Sequence, residues 1–129
     1  MAELSDVQEL ARYVRSFLHD FKELMGQGCY RIEFHIKNLQ ALADLGITAR
    51  QRDECILSLA LDNYSSGPRP DEFHPGQNFW VFGAALEGAE IYIKLKIVPT
   101  GKDNEMAVCI SFHRAEFPLP YPFRESSRK

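Results

Sequence analysis

The stretch Glu90–His113, EIYIKLKIVPTGKDNEMAVCISFH, decides the fold. Apolar and polar residues alternate in its first and last parts, and the segment between them is rich in Pro, Gly, Asp and Asn. Period-two alternation is typical of half-buried strands, and a polar turn between two such runs indicates a β-hairpin. The sequence therefore predicts two antiparallel strands, Glu90–Val98 and Ala107–His113.

The register of this hairpin predicts which side chains share a face. Odd-numbered residues of the first strand should lie beside even-numbered residues of the second, because a one-residue slip would bury the lysines. The predicted core face of the second strand carries Val108, Ile110 and Phe112. The opposite face carries Tyr92, Lys94, Ser111 and His113. We expect Tyr92 opposite or diagonal to His113, and Lys94 near Ser111, with opposed Cβ atoms roughly 5 Å apart.

The rest of the chain predicts an α+β fold, with N-terminal helices packed on a small antiparallel sheet in a single domain, 1–129. The predicted elements are an extra N-terminal helix at about 5–25, a strand over 30–36, a helix over 37–45, a second helix capped by Thr48 and Gln51, a loop over 63–78 and a strand over 79–86. The Pro-rich tail, about 117–129, is expected to run as polyproline II and pack back over the sheet.

Composition and charge limit the function classes. The chain has 129 residues with 45% hydrophobic and 26% charged residues, as in folded proteins. The net charge of −3 argues against a protein that wraps long nucleic acid. Residues 90–129 carry seven basic and five acidic side chains, which favours an anionic ligand there, although ordinary surface charge gives the same pattern. Without a bilayer-length apolar run or a signal peptide, a cytoplasmic protein with no membrane partner is expected.

Other candidate sites have weaker patterns. The three cysteines Cys29, Cys55 and Cys109 are scattered without CxxC, so they are interpreted as structural thiols. The histidines have no HExxH spacing, and no metal site is predicted. The aromatic residues of the strand over 79–86 could stack on bases, but core packing is the preferred interpretation.

The predicted polar face of the hairpin carries groups suited to RNA cleavage. An imidazole, a phenol and one or two ammonium groups could take the 2′-hydroxyl proton, stabilise the charged transition state and protonate the leaving 5′-oxygen. The need for a 2′-hydroxyl would make the substrate RNA. The same alternation is also what any half-exposed antiparallel sheet shows, so both interpretations stay open at this point.

The order of motifs resembles a known family. A helical pair is followed by NYSSGP, then FWVFG, EIYIKLKI and AVCISFH. This order, over about residues 30–117, resembles the MqsR-like branch of the RelE superfamily, the mRNA-cleaving toxins of bacterial type II toxin-antitoxin systems. The resemblance implies a small α+β endoribonuclease that needs no metal or organic cofactor. It also implies inactivation by a cognate antitoxin, DNA contact only through that antitoxin, and the ribosome as a further candidate partner.

The resemblance also implies site residues. The family's strand tyrosine and the lysine after it fall on Tyr92 and Lys94, and its basic residue after Ser-Phe falls on His113. Two polar positions differ, because the family's loop lysine is Ser65 here and its glutamine is Val81. Either His113 and nearby arginines replace those groups, or the domain only binds; the first interpretation is preferred, because packing does not readily explain a histidine at that strand end.

The main hypothesis is therefore an endoribonuclease toxin with His113 as general acid or base. Tyr92 would orient the nucleotide or share the proton transfer, and Lys94 would stabilise the phosphate. The RNA- and phosphate-binding residues are predicted to be Tyr64, Arg69, Lys96, Ser111 and Arg114. The second hypothesis is a noncatalytic RelE-like interaction module that binds a partner through the tail and an exposed sheet edge.

Overall fold

The structure, a computed structural model, describes residues 2–124 of the chain. Three helices precede most of the sheet, and a short 3-10 turn links them to it. The elements are α1 (Ala2–Gly26), β1 (Tyr30–Ile32), α2 (Ile36–Leu45), α3 (Ala49–Leu57), the 3-10 turn (Leu61–Asn63), β2 (Tyr64–Pro70), β3 (Asn78–Leu86), β4 (Ala89–Gly101) and β5 (Asn104–Arg114).

The five strands form one sheet in the order β1-β5-β4-β3-β2. The pairs β5-β4, β4-β3 and β3-β2 are antiparallel, and only β1 lies parallel to its neighbour, β5. The predicted α+β fold, with N-terminal helices on a mostly antiparallel sheet, is confirmed. The hairpin of β4 and β5 lies at the centre of the sheet, so its two faces decide what is core and what is surface.

The hydrophobic core lies between α1 and one face of the sheet. Phe17 of α1 stacks on Trp80 with ring centroids 5.1 Å apart and on Phe82 at 6.1 Å. Val14 and Phe21 of the same helix are fully buried. Rings of this size remove large apolar areas from water, so this layer contributes to the hydrophobic stabilisation together with buried residues around α2 and α3. The interpretation of the β3 aromatics as core residues is confirmed for Trp80 and Phe82.

Helix ends follow the predicted signals. The helix α2 ends at Gly46, whose φ of 68° is the left-handed conformation that glycine adopts without strain. Thr48 begins α3 with a complete capping box, since its hydroxyl accepts from the Gln51 N–H and the Gln51 side chain accepts from the Thr48 N–H. These local bonds satisfy backbone groups that the first turn leaves unpaired.

The predicted strand over residues 30–36 is wrong beyond Ile32. The backbone turns there into α2, and the His35 side chain caps that helix by accepting from the Lys37 N–H. The alternating apolar residues Phe34 and Ile36 are not buried by the sheet, since they are 88% and 58% exposed. Alternation without burial on one face does not specify a strand, and a local cap determines the conformation instead.

The predicted loop over residues 63–78 is also wrong in its first half. Tyr64–Pro70 forms β2, which pairs with β3 through two register shifts. Prolines are tolerated here because β2 is an edge strand. Gly67 has a φ of 115°, and a Cβ at that position would lie 2.9 Å from the Phe79 carbonyl oxygen. Only the segment 71–77 remains a loop.

The hairpin contains a bulge that the sequence pattern did not reveal. Tyr92 pairs with His113 and Lys94 with Ser111, as predicted. The next pair is Leu95 with Cys109, which leaves one extra residue, Ile110, in β5. This bulge reverses the faces of β5 beyond Ile110, so the single core face predicted for Val108, Ile110 and Phe112 is wrong. Beyond the bulge Cys109 joins the core cluster, and Val108 lies opposite Lys96 on the other face.

Asn38 of α2 holds this bulge in place. Its amide nitrogen donates to the carbonyls of Ile110 at 2.9 Å and Glu33 at 3.1 Å, and its amide oxygen accepts from the Phe112 N–H at 3.0 Å. The side chain is buried. One residue therefore satisfies backbone groups that a regular ladder would otherwise pair.

The C-terminal segment packs back on the sheet, as predicted. The Tyr121 hydroxyl donates to a Glu90 carboxylate oxygen at 2.6 Å, and the Phe123 ring lies 5.6 Å from that of Tyr64. Gly83 of β3 allows this approach, because a Cβ there would collide with the Tyr121 hydroxyl. The part of the tail after Arg124 lies outside the described residues.

We expect Asn38→Ala to lower the free energy of unfolding by about 3 kcal/mol, because it leaves a buried N–H and two carbonyls without hydrogen-bond partners. Urea denaturation followed by circular dichroism measures this change. The control is Gln40→Ala, an exposed position on the same helix, with an expected change within about 0.5 kcal/mol. Equal stability of the two variants would contradict the role given to Asn38.

Candidate functional site

An open cleft of about 430 Å³ lies on the sheet face opposite α1. Its floor comes from β4 and β5, and its walls come from the β1-α2 connection and the β2-β3 loop. The residues that line it are Glu33, Phe34, His35, Lys37, Asp71, Phe73, His74, Lys94, Lys96, Ile110, Ser111 and His113. Four of the six predicted site residues on β4 and β5 line the cleft, and they are Lys94, Lys96, Ser111 and His113.

His113, at one end of the cleft, stacks on Tyr92, which lines an adjoining depression. Their ring centroids are 5.5 Å apart and their planes differ by 22°. The His113 Nδ1 lies 2.9 Å from the Arg114 carbonyl oxygen. Because a carbonyl only accepts, Nδ1 carries the proton, and a neutral ring keeps Nε2 as its proton-accepting atom. The geometry therefore gives His113 the tautomer that a general base requires.

The Tyr92 phenol is half-buried beside this imidazole. Burial raises the pKa of Tyr92 above its usual value, the positive charge of Arg69 lowers it, and the negative charge of Glu116 raises it. The balance is a raised pKa, so the phenol keeps its proton at neutral pH. Tyr92 can donate a hydrogen bond but is not a base.

Lys94 is the central cation of the cleft floor. Its Nζ lies 4.3 Å from the centroid of the Phe79 ring, and Ser111 is its partner on β5. Of the three lysines lining the cleft, Lys37 bonds Glu116 at 2.6 Å and Lys96 bonds Asp71 at 2.8 Å. Within residues 2–124, Lys94 has no carboxylate partner. Among the three lysines that line the cleft, Lys94 is therefore the one whose charge is available to an anion.

Lys96, predicted to bind phosphate, lies beneath the β2-β3 loop with its side chain 3% exposed. Its ammonium donates to Asp71 and to the Gln77 side-chain oxygen, each at 2.8 Å. The hydrogen bond from Lys96 is the main cause that lowers the pKa of Asp71 to about 2. In this arrangement Lys96 holds the loop, and its charge is already balanced.

The other predicted RNA-binding residues lie apart from the floor. Tyr64 is buried in the core against Trp80 and Phe82, and its hydroxyl donates to the Gly67 carbonyl. Arg114 pairs with Ile91, and it lines a depression beside α2 that also includes His113. Arg69 is exposed and lines a depression that adjoins the cleft at Lys94 and Phe73. Arg69 therefore lies beside the cleft at Lys94, Arg114 lies beside it at His113, and Tyr64 lies in the core.

Sequence reasoning missed the residues of the cleft walls. Phe34 and Phe73 are 88% and 87% exposed, and His35 and His74 follow directly after them. The signal that could have found Phe73 and His74 is an aromatic residue without any apolar partner in the polar segment PDEFHPGQN. Phe34 was assigned to a strand instead, because apolar and polar residues alternate around it.

The comparisons with known proteins do not assign a family. No protein-family model, curated protein or solved structure matches the chain. Among residues 2–124, no three His, Cys, Asp or Glu side chains are grouped so that they could hold a metal ion. No helix in that range is long and apolar enough to cross a bilayer.

The Asp71–Lys96 pair predicts a pH dependence of stability. The folded-state pKa of Asp71, about 2, lies below its usual 3.8, so the unfolded chain binds the proton more readily. This stabilisation is present above pH ~4 and is lost as the pH falls through ~2. Asp71→Asn should lower the free energy of unfolding by about 3 kcal/mol at neutral pH, because it leaves the Lys96 charge buried without a partner.

Urea unfolding between pH 2 and 7 measures this effect. The difference in the free energy of unfolding between the wild type and Asp71→Asn should become smaller as the pH falls. The control is Glu72→Gln, since Glu72 is the exposed neighbour on the same loop. A difference that stays constant with pH would show that Asp71 ionisation does not stabilise the fold.

Proposed function

We propose that this protein is a metal-independent endoribonuclease that acts as the toxin of a bacterial type II toxin-antitoxin system. One observation carries the catalytic part of the proposal. The floor of the cleft carries both His113, whose Nδ1 lies against the Arg114 carbonyl, and Lys94, which has no carboxylate partner among residues 2–124, and His113 also stacks on the Tyr92 ring. These are the groups needed to cleave RNA through its own 2′-hydroxyl.

In the proposed reaction His113 is the general base. Its Nε2 takes the proton of the ribose 2′-hydroxyl, while the Arg114 carbonyl keeps Nδ1 protonated and the ring oriented. Stacking on the Tyr92 ring fixes the orientation of the imidazole plane. The Tyr92 hydroxyl, protonated because its pKa is raised, is suited to donate a hydrogen bond to the nucleotide.

Lys94 and Arg69 are proposed to stabilise the phosphate. Lys94 lies on the floor between the two ends of the cleft, and Arg69 adjoins it from β2. Cations in a partly enclosed site stabilise the negative charge that develops on the phosphoryl oxygens in the transition state. Ser111, opposite Lys94, supplies a hydroxyl that can bond the same group.

The cleft walls support single-stranded RNA as the substrate. Phe34 and Phe73 project from two different connections into solvent, and such exposed rings are suitable platforms for unpaired bases. The net charge of −3 supports recognition of one or a few phosphates in the cleft over binding along a long nucleic acid.

The toxin assignment rests on the resemblance to the MqsR-like branch of the RelE superfamily. Its most specific motif, the strand with Tyr92 and Lys94 followed by the strand ending in His113, is the part that forms the cleft floor. mRNA would be the substrate, a cognate antitoxin the protein partner and the cytoplasm the location, with the ribosome as a further partner. The positions Ser65 and Val81, where the family has polar groups, are buried here, which supports a larger role for His113.

The alternative of a noncatalytic interaction module has less support. It would use the tail and a sheet edge, but Tyr121 and Phe123 of the tail already contact the molecule's own sheet. One sheet edge is the three-residue β1, and the other is β2 with its prolines and register shifts. Edges of this kind are poor templates for an added strand.

Purified protein should cleave single-stranded RNA in EDTA, and His113→Ala should lower the cleavage rate at least about 100-fold, because an acid/base group is lost. The assay follows a labelled oligonucleotide on a denaturing gel. The matched control is His19→Ala on the exposed surface of α1, which should cleave at the wild-type rate. Full activity of His113→Ala would remove this residue from the mechanism.

The toxin assignment has its own test in a bacterial cell. Expression of the chain alone should arrest growth with loss of mRNA, and co-expression of a short open reading frame encoded next to its gene should restore growth. His113→Ala serves as the inactive control. Harmless expression of the wild type with intact mRNA would contradict the toxin assignment, and it would leave RNA cleavage to be judged by the purified protein.

A further inference from the structure

Two further histidines line the same cleft as His113, and one of them, His74, is hydrogen-bonded to a carboxylate. His74 lies on the β2-β3 loop, and its Nδ1 is 3.2 Å from a carboxylate oxygen of Asp71. That oxygen also accepts from Lys96 at 2.8 Å, and the other Asp71 oxygen accepts from the Phe73 N–H. Because an ionised carboxylate only accepts, the His74 Nδ1 carries a proton, and Nε2 is the atom left for a ligand.

The strand register puts the positions that anchor His113 and His74, Tyr92 and Lys96, on opposite sides of Lys94. His113 pairs with Tyr92, two residues before Lys94, and the Asp71–His74 pair is anchored on Lys96, two residues after it. Two strand residues span about 7 Å, so each anchoring position is about that far from Lys94 along β4. A phosphodiester bound at Lys94 would therefore have one imidazole on each side.

We propose that His74 is the general acid that protonates the leaving 5′-oxygen, with Asp71 as its positioning residue. This role rests on the proposed ribonuclease function. The 2′-oxygen attacks phosphorus and its proton passes to Nε2 of His113. The bond between phosphorus and the 5′-oxygen breaks with its electron pair on oxygen, and that oxygen takes the Nε2 proton of protonated His74. The products are a 2′,3′-cyclic phosphate and a 5′-hydroxyl.

The contacts of the other candidate acids favour His74. The Nδ1 of His35 caps α2 by accepting from the Lys37 N–H, so its protonation would break that cap. The raised pKa of the Tyr92 phenol makes it a weaker acid than a free phenol. Asp71, in contrast, accepts a hydrogen bond from the Nδ1 of His74, and this bond is kept when the ring is protonated and its Nε2 carries the proton to be transferred.

Two substrates that differ in one atom test this role. The bond cut by the wild type in a single-stranded RNA is mapped first in EDTA, and the same RNA is then made with sulfur in place of the 5′-bridging oxygen at that bond. A thiolate leaves without being protonated, so a general acid is not needed for the sulfur substrate. The variants are His74→Gln, His35→Gln, Asp71→Asn and His113→Ala, with His19→Gln on α1 as the control.

We expect His74→Gln to lower the rate on the oxygen RNA about 100-fold and on the sulfur RNA less than about fivefold. Asp71→Asn is assayed at a temperature where circular dichroism shows that it is folded. It should likewise slow cleavage of the oxygen RNA much more than cleavage of the sulfur RNA. His113→Ala should slow both substrates at least about 100-fold, because the base is needed for either leaving group. His19→Gln should cleave both like the wild type.

Three results would overturn the proposal. His74→Gln could slow both substrates equally, which would indicate a structural or binding role; it could slow neither; or the split could appear in His35→Gln instead. A wild-type protein that cuts no RNA at all contradicts the proposed function itself. Cleavage by the wild type with any of those three results contradicts only the role of His74.

Discussion

The site depends on the bulge at Ile110 in the central hairpin. On one side of the bulge, the pairing of Tyr92 with His113 puts an imidazole on the cleft face. A regular ladder from that pair would continue with Cys109 on the same face, opposite Lys96. The bulge instead turns Cys109 into the core, where burial raises the pKa of its thiol to about 12 and makes it unreactive. The floor is thus left with the imidazole, a hydroxyl and the Lys94 ammonium.

The charges around the cleft are arranged so that little of the positive charge is free. Carboxylates of Glu116 and Asp71 neutralise two of the three lining lysines. This pairing explains how an acidic protein can present a cationic site, because the positive electrostatic potential is concentrated at Lys94 and at the neighbouring Arg69. It also means that a count of basic residues along the chain overstates the charge that a ligand meets.

Local patterns were enough to predict the strands of the hairpin, the end of α2, the start of α3, and the positions of Tyr92, Lys94, Ser111 and His113 on one face. Each of these depends on residues near one another in sequence. The bulge could not be predicted, because the buried Asn38 that holds it lies more than 70 residues away from Ile110. The burial of Lys96 had the same cause, since its partner Asp71 is 25 residues distant in a loop.

The Lys96–Asp71 pair is difficult to explain by stability alone. Moving both charges out of water costs several kcal/mol, and well-packed apolar residues often stabilise a fold as well as a buried pair does. What apolar residues would not provide is a fixed orientation of the β2-β3 loop. Asp71 accepts from Lys96 below, from the Phe73 N–H and from the His74 ring, so one carboxylate positions an exposed aromatic ring and an imidazole over the cleft. A polar anchor in the sheet thus provides the rigid support that a precise site on a loop requires.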